Sequence, residues 1–236
     1  MRMFMTGFKM PVVLRFGELQ LIRGDWRRYV KEIDETNNAN PPNLVATELE
    51  NFQVGVVSVE ENGSRSPIPY VLPPGIKRER LQGNTRIQFQ NEQSLSMKTL
   101  QLPSKETRAV YKNVSIDLRM YKKLKLFVHL EEIGNTGLAD DDLQGIVRLG
   151  SDLNDNFYQI EFPLKVTASG TSSPSDIWAN NMNVILEHLG KLKLLRFQET
   201  IAVPANQVYP AYGVVSPIPG LQGYEIRVKG NPNLGN

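Results

Sequence analysis

A chain of 236 residues with 40% hydrophobic side chains is long enough for one large all-β unit or for two smaller domains. Its 27 Lys and Arg against 25 Asp and Glu give a net charge of +2, which is too small to draw the whole chain to nucleic acid or to an anionic membrane. The lack of cysteine excludes thiolate catalysis, cysteine-based zinc sites and disulfides. No stretch approaches the roughly 20 apolar residues of a membrane-spanning helix.

Alternation of apolar and polar side chains at period two predicts that strands dominate the chain. The clearest predicted strand covers residues 157–167, where Tyr158, Ile160 and Phe162 share one face and Pro163 on the other face predicts an edge position or a bulge. The other predicted strands, in chain order, cover residues 13–22, 53–60, 95–102, 121–131, 143–150 and 224–229.

The number of short strands favours a sandwich over a meander. Residues 143–150 and 157–167 are expected to pair as a hairpin, because turn-forming residues fill the interval between them. The proline-rich stretches at 37–43 and 67–75 are predicted to be surface connections. The predicted fold class is therefore mainly all-β, a jelly-roll-like β-sandwich with one short helix and long loops.

Residues 175–197 are the exception to strand character, and the sequence leaves two positions for one short helix. In the first, Ser175 or Asp176 caps a helix that ends at Gly190. That helix would carry on one face Trp178, Met182, Ile185 and Leu189. In the second, the helix begins at Asn183 and runs to Arg196.

The domain prediction divides the chain near residue 50. Residues 1–50 are expected to form an N-terminal strand segment and linker, either separate from the sandwich or part of it. Residues 51–236 are expected to form the jelly-roll-like sandwich domain. The tail after Gly230 contains no closing strand, which is compatible with truncation at the C-terminus.

The two histidines do not indicate a catalytic site. His129 is expected on the polar face of a strand and His188 on the predicted helix, and neither has the neighbours of a zinc-protease or serine-nucleophile motif. The glycine-rich segments lie between strands with no helix N-terminus beside them, so no phosphate-binding loop is predicted. We therefore predict that the chain is not an enzyme and has no catalytic, cofactor-binding or metal-binding residues.

Two acidic loops contain the oxygen ligands that calcium prefers. Neither loop matches a 12-residue calcium loop, and aspartates also favour turns, so turn formation is the preferred interpretation while calcium binding stays open. The residues concerned are Asp140, Asp141 and Asp142 in one loop and Asp152, Asp155 and Asn156 in the other.

Basic residues gather in three groups, and aromatic residues are scattered among them. Acidic neighbours and the tendency of arginine stems to cover apolar surface argue against a nucleic-acid partner. The groups are Arg23, Arg27 and Arg28 beside Trp26 and Tyr29; Lys77, Arg78 and Arg80; and Lys122, Lys123 and Lys125. Side chains that could stack on sugars, or equally lie in a core or interface, are Trp26, Trp178, Tyr70, Tyr209 and Tyr212.

Four blocks of sequence carry a family resemblance: ENGSR at 61–65, YVLPPG at 70–75, DLRMYKKL at 117–124 and RLGSD at 148–152. In this order, they look like the SprA/Sov family, the very large outer-membrane translocon of the type IX secretion system, which is also linked to gliding motility. The resemblance covers most of the chain, and the blocks are long and unlike generic enzyme motifs.

This resemblance implies that the chain is a fragment of a much larger protein at the outer membrane or cell surface, with the periplasmic side left open. The implied function is non-catalytic: protein–protein contact or channel capping within a protein-export translocon. The implied partners are other translocon subunits or the rest of its own barrel, and a secreted cargo protein. No catalytic residues are carried over from the family.

Two other functional interpretations remain at this point. A carbohydrate-binding module of β-sandwich fold would bind a glycan through exposed aromatic residues that line one groove. A glycoside hydrolase, the more distant of the two, would need two facing carboxylates roughly 5 to 10 Å apart in a cleft.

Overall fold

Nine antiparallel strands form most of the regular structure in this computed structural model, which describes residues 26–29, 51–80, 89–104, 106–134 and 136–235. The strands are β1 Arg27–Arg28, β2 Phe52–Ser58, β3 Gln93–Thr99, β4 Val110–Tyr111, β5 Lys123–Val128, β6 Gln144–Gly150, β7 Phe157–Pro163, β8 Asn180–Ile185 and β9 Glu225–Lys229. The helices are α1 Val59–Asn62, α2 Pro174–Ile177 and α3 Glu187–Gln198, with a 3-10 turn at Leu118–Met120. The mainly-β class is confirmed. The predicted strand at 13–22, the stretch at 37–43 and Arg23 lie outside the described residues.

The described strands pair in four small sheets: β1–β4, β2–β3, β5–β8 and the three-stranded sheet β6-β7-β9. The predicted β6–β7 hairpin is confirmed. Pro163, where an edge position or a bulge is predicted, is the last residue of β7. It pairs only with β6 and lies beyond the final β7–β9 pair at Glu161, although β7 as a whole is the central strand of its sheet. Because no described sheet exceeds three strands, the finer jelly-roll description is not confirmed.

The main core lies between the three-stranded sheet, the β5–β8 sheet and α3. The side chains of Ile160, Val184, Leu189, Leu192 and Ile226 are fully buried there. Burial of one such side chain stabilises the fold by roughly 1.5–3 kcal/mol. The pairing of Ile160 with Ile226 across β7 and β9 fixes the register that brings this apolar face together.

Residues 180–185 form strand β8, so the first predicted helix is wrong and the second, which runs to Arg196, is nearer to the structure. Met182 and Val184 are buried while Asn181 and Asn183 are exposed, as a half-buried strand requires. Asparagine and β-branched valine disfavour a helix, and pairing with β5 decides the outcome. Gly190 lies inside α3 and does not end it.

A second, smaller core forms beneath the loop at 64–75, which includes the stretch 67–75 predicted to be a surface connection. Ile68 and Tyr70 of this loop are buried against Ile177 and Trp178, and Phe127 of β5 packs on the same cluster. Trp178 Nε1 donates a hydrogen bond to the Val71 carbonyl at 2.9 Å. The loop therefore faces inward at these positions, and the β5–β8 sheet contributes side chains to both cores.

The C-terminal tail is docked onto the fold although no strand follows β9. The Gly230 carbonyl accepts a hydrogen bond from Arg196 of α3 at 2.6 Å, and the Pro232 carbonyl accepts one from Lys193 at 2.8 Å. The Leu118 N–H donates to the Leu234 carbonyl at 2.7 Å. The tail thus connects α3 to the 3-10 turn.

Candidate interaction surface and buried polar groups

A buried charge network lies on the second face of the three-stranded sheet. Arg227 Nε and Gln159 Nε2 each donate to Oε1 of Glu161 at 2.7 Å, and all three side chains are buried. Arg148 extends the network by donating from Nε to Gln159 Oε1 at 2.5 Å. Alternation places these polar residues on the side of β7 away from the main core, and the structure shows that this side is buried as well.

The loop at 210–214 covers the network. Arg227 Nη1 donates to the carbonyls of Pro210, Ala211 and Val214 at 3.1, 2.7 and 3.0 Å, and its guanidinium lies 5.2 Å from the Tyr212 ring centre. The charge is therefore balanced by Glu161 and by backbone carbonyls inside the fold. This network holds the loop on the sheet.

The acidic loop at 152–156 is organised by one carboxylate. Asp152 Oδ1 accepts hydrogen bonds from the N–H groups of Asn154, Asp155 and Asn156 at 3.0, 2.6 and 3.0 Å, and Oδ2 accepts from the Asn156 amide at 2.9 Å. Burial alone would raise the pKa of Asp152, but these hydrogen bonds outweigh it and lower the pKa to about 2. The geometry matches the preferred turn interpretation.

The carboxylates of the other acidic loop also accept backbone hydrogen bonds, one from within the loop and one from the segment that follows β7. Asp140 Oδ1 accepts from the Val166 N–H at 2.8 Å, and Asp142 Oδ2 accepts from the Ala139 N–H at 2.8 Å. Asp141 is exposed and has a positive φ of 69°. Within the part of the chain that the structure describes, no three histidine, aspartate or glutamate side chains gather so as to hold a metal ion.

The histidines occupy different environments. His129 is half-buried with its ring 6.2 Å from Trp178, and its Nε2 is buried without a hydrogen bond. Burial lowers the pKa of His129, the nearby Glu131 acts in the opposite direction, and Arg65 lowers it further. His188 Nδ1 lies 3.4 Å from the Tyr224 hydroxyl. The structure does not bring the two histidines into one site with a nucleophile.

An ion pair holds the loop at 64–75 beside His129. The Arg65 guanidinium makes two hydrogen bonds to the Glu131 carboxylate, at 2.6 and 2.5 Å, and its Nε donates to the Ile68 carbonyl. Tyr70 adds a hydroxyl contact to Ser94 at 2.6 Å. Residues of the ENGSR and YVLPPG blocks thus stabilise the fold, because their contacts hold this loop against β3, β5 and α2.

Two of the five aromatic residues considered for sugar stacking are buried in the second core. Trp178 and Tyr70 are buried with their rings edge to face at 6.0 Å, so neither can stack on a glycan in this conformation. Tyr209 donates its hydroxyl proton to Glu199, and Tyr212 lies beside Arg227. Trp26 is exposed, next to β1.

The basic groups are dispersed over the surface. Arg78 pairs with Glu60 at 2.7 Å and lies over the Phe89 ring, and Arg28 donates to the Phe52 carbonyl. Lys122, Lys123 and Lys125 are exposed along β5.

The most distinctive surface is the apolar side of the β2–β3 pair, which we call the ribbon face and define by Val54, Val56, Leu95 and Met97. Val56 lies opposite Leu95, and Val54 lies opposite Met97, so the four side chains share one side. Val56 is 59% exposed and Met97 is 47% exposed. The prediction of strands at 53–60 and 95–102 located these segments, but no local pattern indicates that they pair with each other.

The ribbon face lacks the devices that usually protect such a surface. Its two strands pair continuously over seven positions with no bulge and no proline, and they carry one charged residue, Lys98. A two-stranded sheet with an exposed apolar side is marginally stable alone in water. Exposed apolar surface of this kind marks sites of protein contact.

The fold and these surfaces together define a mainly-β protein whose described polar clusters are bonded within the fold and whose β2–β3 pair exposes an apolar side. The chain belongs to the SprA_N family, described as a motility related/secretion protein family, whose model matches residues 1–236. The family resemblance inferred from the four sequence blocks is thereby confirmed. Comparison with curated proteins gives no match. None of the helices in the described ranges has the length and apolar character needed to cross a membrane.

Proposed function

We propose that this chain is a non-catalytic domain of a large outer-membrane protein-export translocon of the type IX secretion kind, and that it acts through protein–protein contact. Family membership supports a role in secretion and motility. The partner we propose is another part of the same export machinery, and a secreted cargo protein is the substrate that passes it.

The observation that carries the contact role is the ribbon face. Val56 and Met97 remain about half exposed at the centre of a regular strand pair, where the neighbouring Phe52 is buried. Val56 and Met97 are exposed apolar side chains on a nearly uncharged ribbon. When a partner covers such side chains, the burial stabilises the complex by roughly 25 cal/mol per Å² of apolar surface. The opposite side of the ribbon carries Gln53 and Lys98 and needs no such cover.

The test places two glutamates on the ribbon face of the protein in its source cells. We expect V56E/M97E to reach the outer-membrane fraction at normal abundance and to lower both the amount of exported protein in the medium and surface spreading. The control is Q53E, which adds one negative charge on the opposite side beside Lys98 and should leave export unchanged.

Two results would contradict the proposal in different ways. Normal export by V56E/M97E would remove the contact role of the ribbon face. An immunoblot that finds the wild-type chain only in the soluble fraction, apart from the outer membrane, would remove the translocon assignment itself.

A further inference from the structure

Strand β3 directs a row of backbone groups away from its partner strand. The Leu100 N–H donates to the Asn51 carbonyl, and the Val59 N–H donates to the Glu92 carbonyl, so the two pairs that flank the β2–β3 ladder are hydrogen-bonded pairs. Bonded and non-bonded pairs alternate along an antiparallel ladder, so every second residue of β3 points its N–H and C=O away from β2. We call this row the β3 edge, and it consists of Gln93, Leu95, Met97 and Thr99.

The β3 edge is open, while the corresponding edge of β2 is partly closed. Among the described residues, no backbone group of the β3 edge has a hydrogen-bond partner. On β2, the Phe52 carbonyl accepts a hydrogen bond from Arg28 at 3.1 Å. At the other end of β2, the Ser58 N–H donates to Asn62 Oδ1 at 2.9 Å. A regular strand with a row of unpaired N–H and C=O groups is a template for another strand, and β3 provides the longer template of the two.

The β3 edge adds a selection that the ribbon face alone lacks. An apolar patch can be covered by many shapes, whereas a row of backbone donors and acceptors is satisfied in full by an extended chain. Leu95 and Met97 belong both to the β3 edge and to the ribbon face. Every second side chain of an added strand would therefore lie beside them and continue the ribbon face. The segment that fits is extended and apolar at alternate positions.

The state of the ribbon indicates a resident partner. In the described part of the chain β2 and β3 pair only with each other, and a sheet of two strands is marginally stable in water, whereas three strands with an apolar face are more stable. Phe52 is buried at one end and Val57 packs on the second core at the other, but Met97 between them is 47% exposed. A passing cargo chain would leave the ribbon two-stranded between passages.

We propose that a strand from another part of the export machinery adds to the β3 edge and becomes the third strand of this sheet. This inference rests on the contact role of the ribbon face proposed above, and it names the form of the partner. The hydrogen bonds of the added strand would supply affinity, and its alternate apolar side chains would supply specificity.

Proline tests the backbone of the β3 edge separately from its side chains. Met97→Pro removes an N–H that points away from β2, and an edge strand tolerates proline at such a position. Met97→Val keeps the N–H and places an apolar side chain of similar size on the ribbon face. In source cells, we expect M97P to reach the outer-membrane fraction at normal abundance and to export several-fold less protein into the medium than M97V.

Ser96→Pro is the folding control, because Ser96 lies opposite Gly55 and bonds to β2. Proline there removes a ladder hydrogen bond inside the chain. In thermal melts of the full 236-residue chain, M97P should melt close to M97V, and S96P should melt clearly below both. If M97P melts as low as S96P, the Met97 N–H has a partner within the chain and the proposal is overturned.

Hydrogen exchange followed by mass spectrometry tests the β3 edge without any substitution. In the isolated 236-residue chain, the outward amides of Leu95 and Met97 should exchange faster than the inward amides of Ser94 and Ser96. In the protein purified with its partners from the cell envelope, exchange of the outward amides should slow by about tenfold or more. Equal exchange of the outward amides in both samples would overturn the strand addition.

The outcomes distinguish this inference from the proposed function. Equal export by M97P and M97V, with export still lowered by V56E/M97E, would overturn strand addition and leave the contact role in place. Normal export by V56E/M97E would remove the contact role and strand addition together. Self-association of the isolated chain in sedimentation velocity, lost in M97P and kept in M97V, would assign the β3 edge to a second copy and overturn the proposed partner.

Discussion

Replacement of the buried pair Glu161 and Arg227 should reveal a strong energetic coupling. Removing one partner of a buried ion pair typically costs about 3–5 kcal/mol of unfolding free energy. Arg227→Met leaves the Glu161 carboxylate with the Gln159 amide as a donor and deprives three carbonyls of theirs, so we expect the upper end of that range. Glu161→Met leaves the guanidinium with those carbonyls and should fall at the lower end.

The double variant E161M/R227M removes both charges, so its loss should be smaller than the sum of the single losses by about 2 kcal/mol. Urea denaturation gives the three unfolding free energies, and an unchanged slope with denaturant shows that the unfolded state is the same. The exposed pair Glu187 and Lys191 serves as the control, where E187Q and K191M should be additive. If the losses at Glu161 and Arg227 add to within about 0.5 kcal/mol, the two side chains are not coupled and the reasoning is refuted.

Three further predictions concern single side chains. Gly145→Ala would place a methyl group 2.4 Å from the buried Phe162 ring and should lower the unfolding free energy by about 1–3 kcal/mol, whereas Gly55→Ala, with open space around it, should change it little. Asp152 has a pKa of about 2 in the folded chain against an ordinary 3.8, so the ionised carboxylate stabilises the fold above pH 3.8 and this stabilisation is lost as the pH falls toward 2. Thermal melts of Asp152→Ala should lack that part of the pH dependence. An unchanged pH profile would count against the hydrogen-bonded loop. Because the pKa of His129 is lowered in the folded chain, the unfolded chain binds a proton more readily, and the stability of the fold decreases as the pH falls below 6.5. His129→Phe should therefore flatten the acid side of the stability profile, followed by Trp178 fluorescence. An equal slope in both proteins would exclude His129 as the source of this pH dependence.

The parts of the fold that sequence predicted are those set by local patterns. Alternation identified the strand at Tyr158, Ile160 and Phe162, and the turn residues between the two strands identified the β6–β7 hairpin. Period two also appears in Met182 and Val184, but the spacing from Trp178 to Met182 fits a helix as well, so local pattern could not decide between them. Pairing of β8 with β5, a contact distant in sequence, decides it.

The candidate surfaces were harder to predict because alternation shows which side chains share a face but not what covers that face. Glu161 and Arg227 are charged residues of their strands, yet both are buried and the loop at 210–214 lies over their network. Conversely, Val56 and Met97 are large apolar residues within predicted strands, yet they stand about half exposed. The four sequence blocks were more informative about family membership than about which surface contacts a partner, since the described contacts of Arg65, Tyr70 and Asp152 lie within the fold.

The β5–β8 sheet has a consequence for the order of folding. Its two strands enclose the whole β6–β7 hairpin in sequence, so their pairing must close a long loop, whereas the hairpin between them forms from near neighbours. Leu124 of β5 packs on the main core while Phe127 of the same strand packs on the second core. A single late pairing event therefore completes both cores, and we expect them to form and melt in one cooperative step.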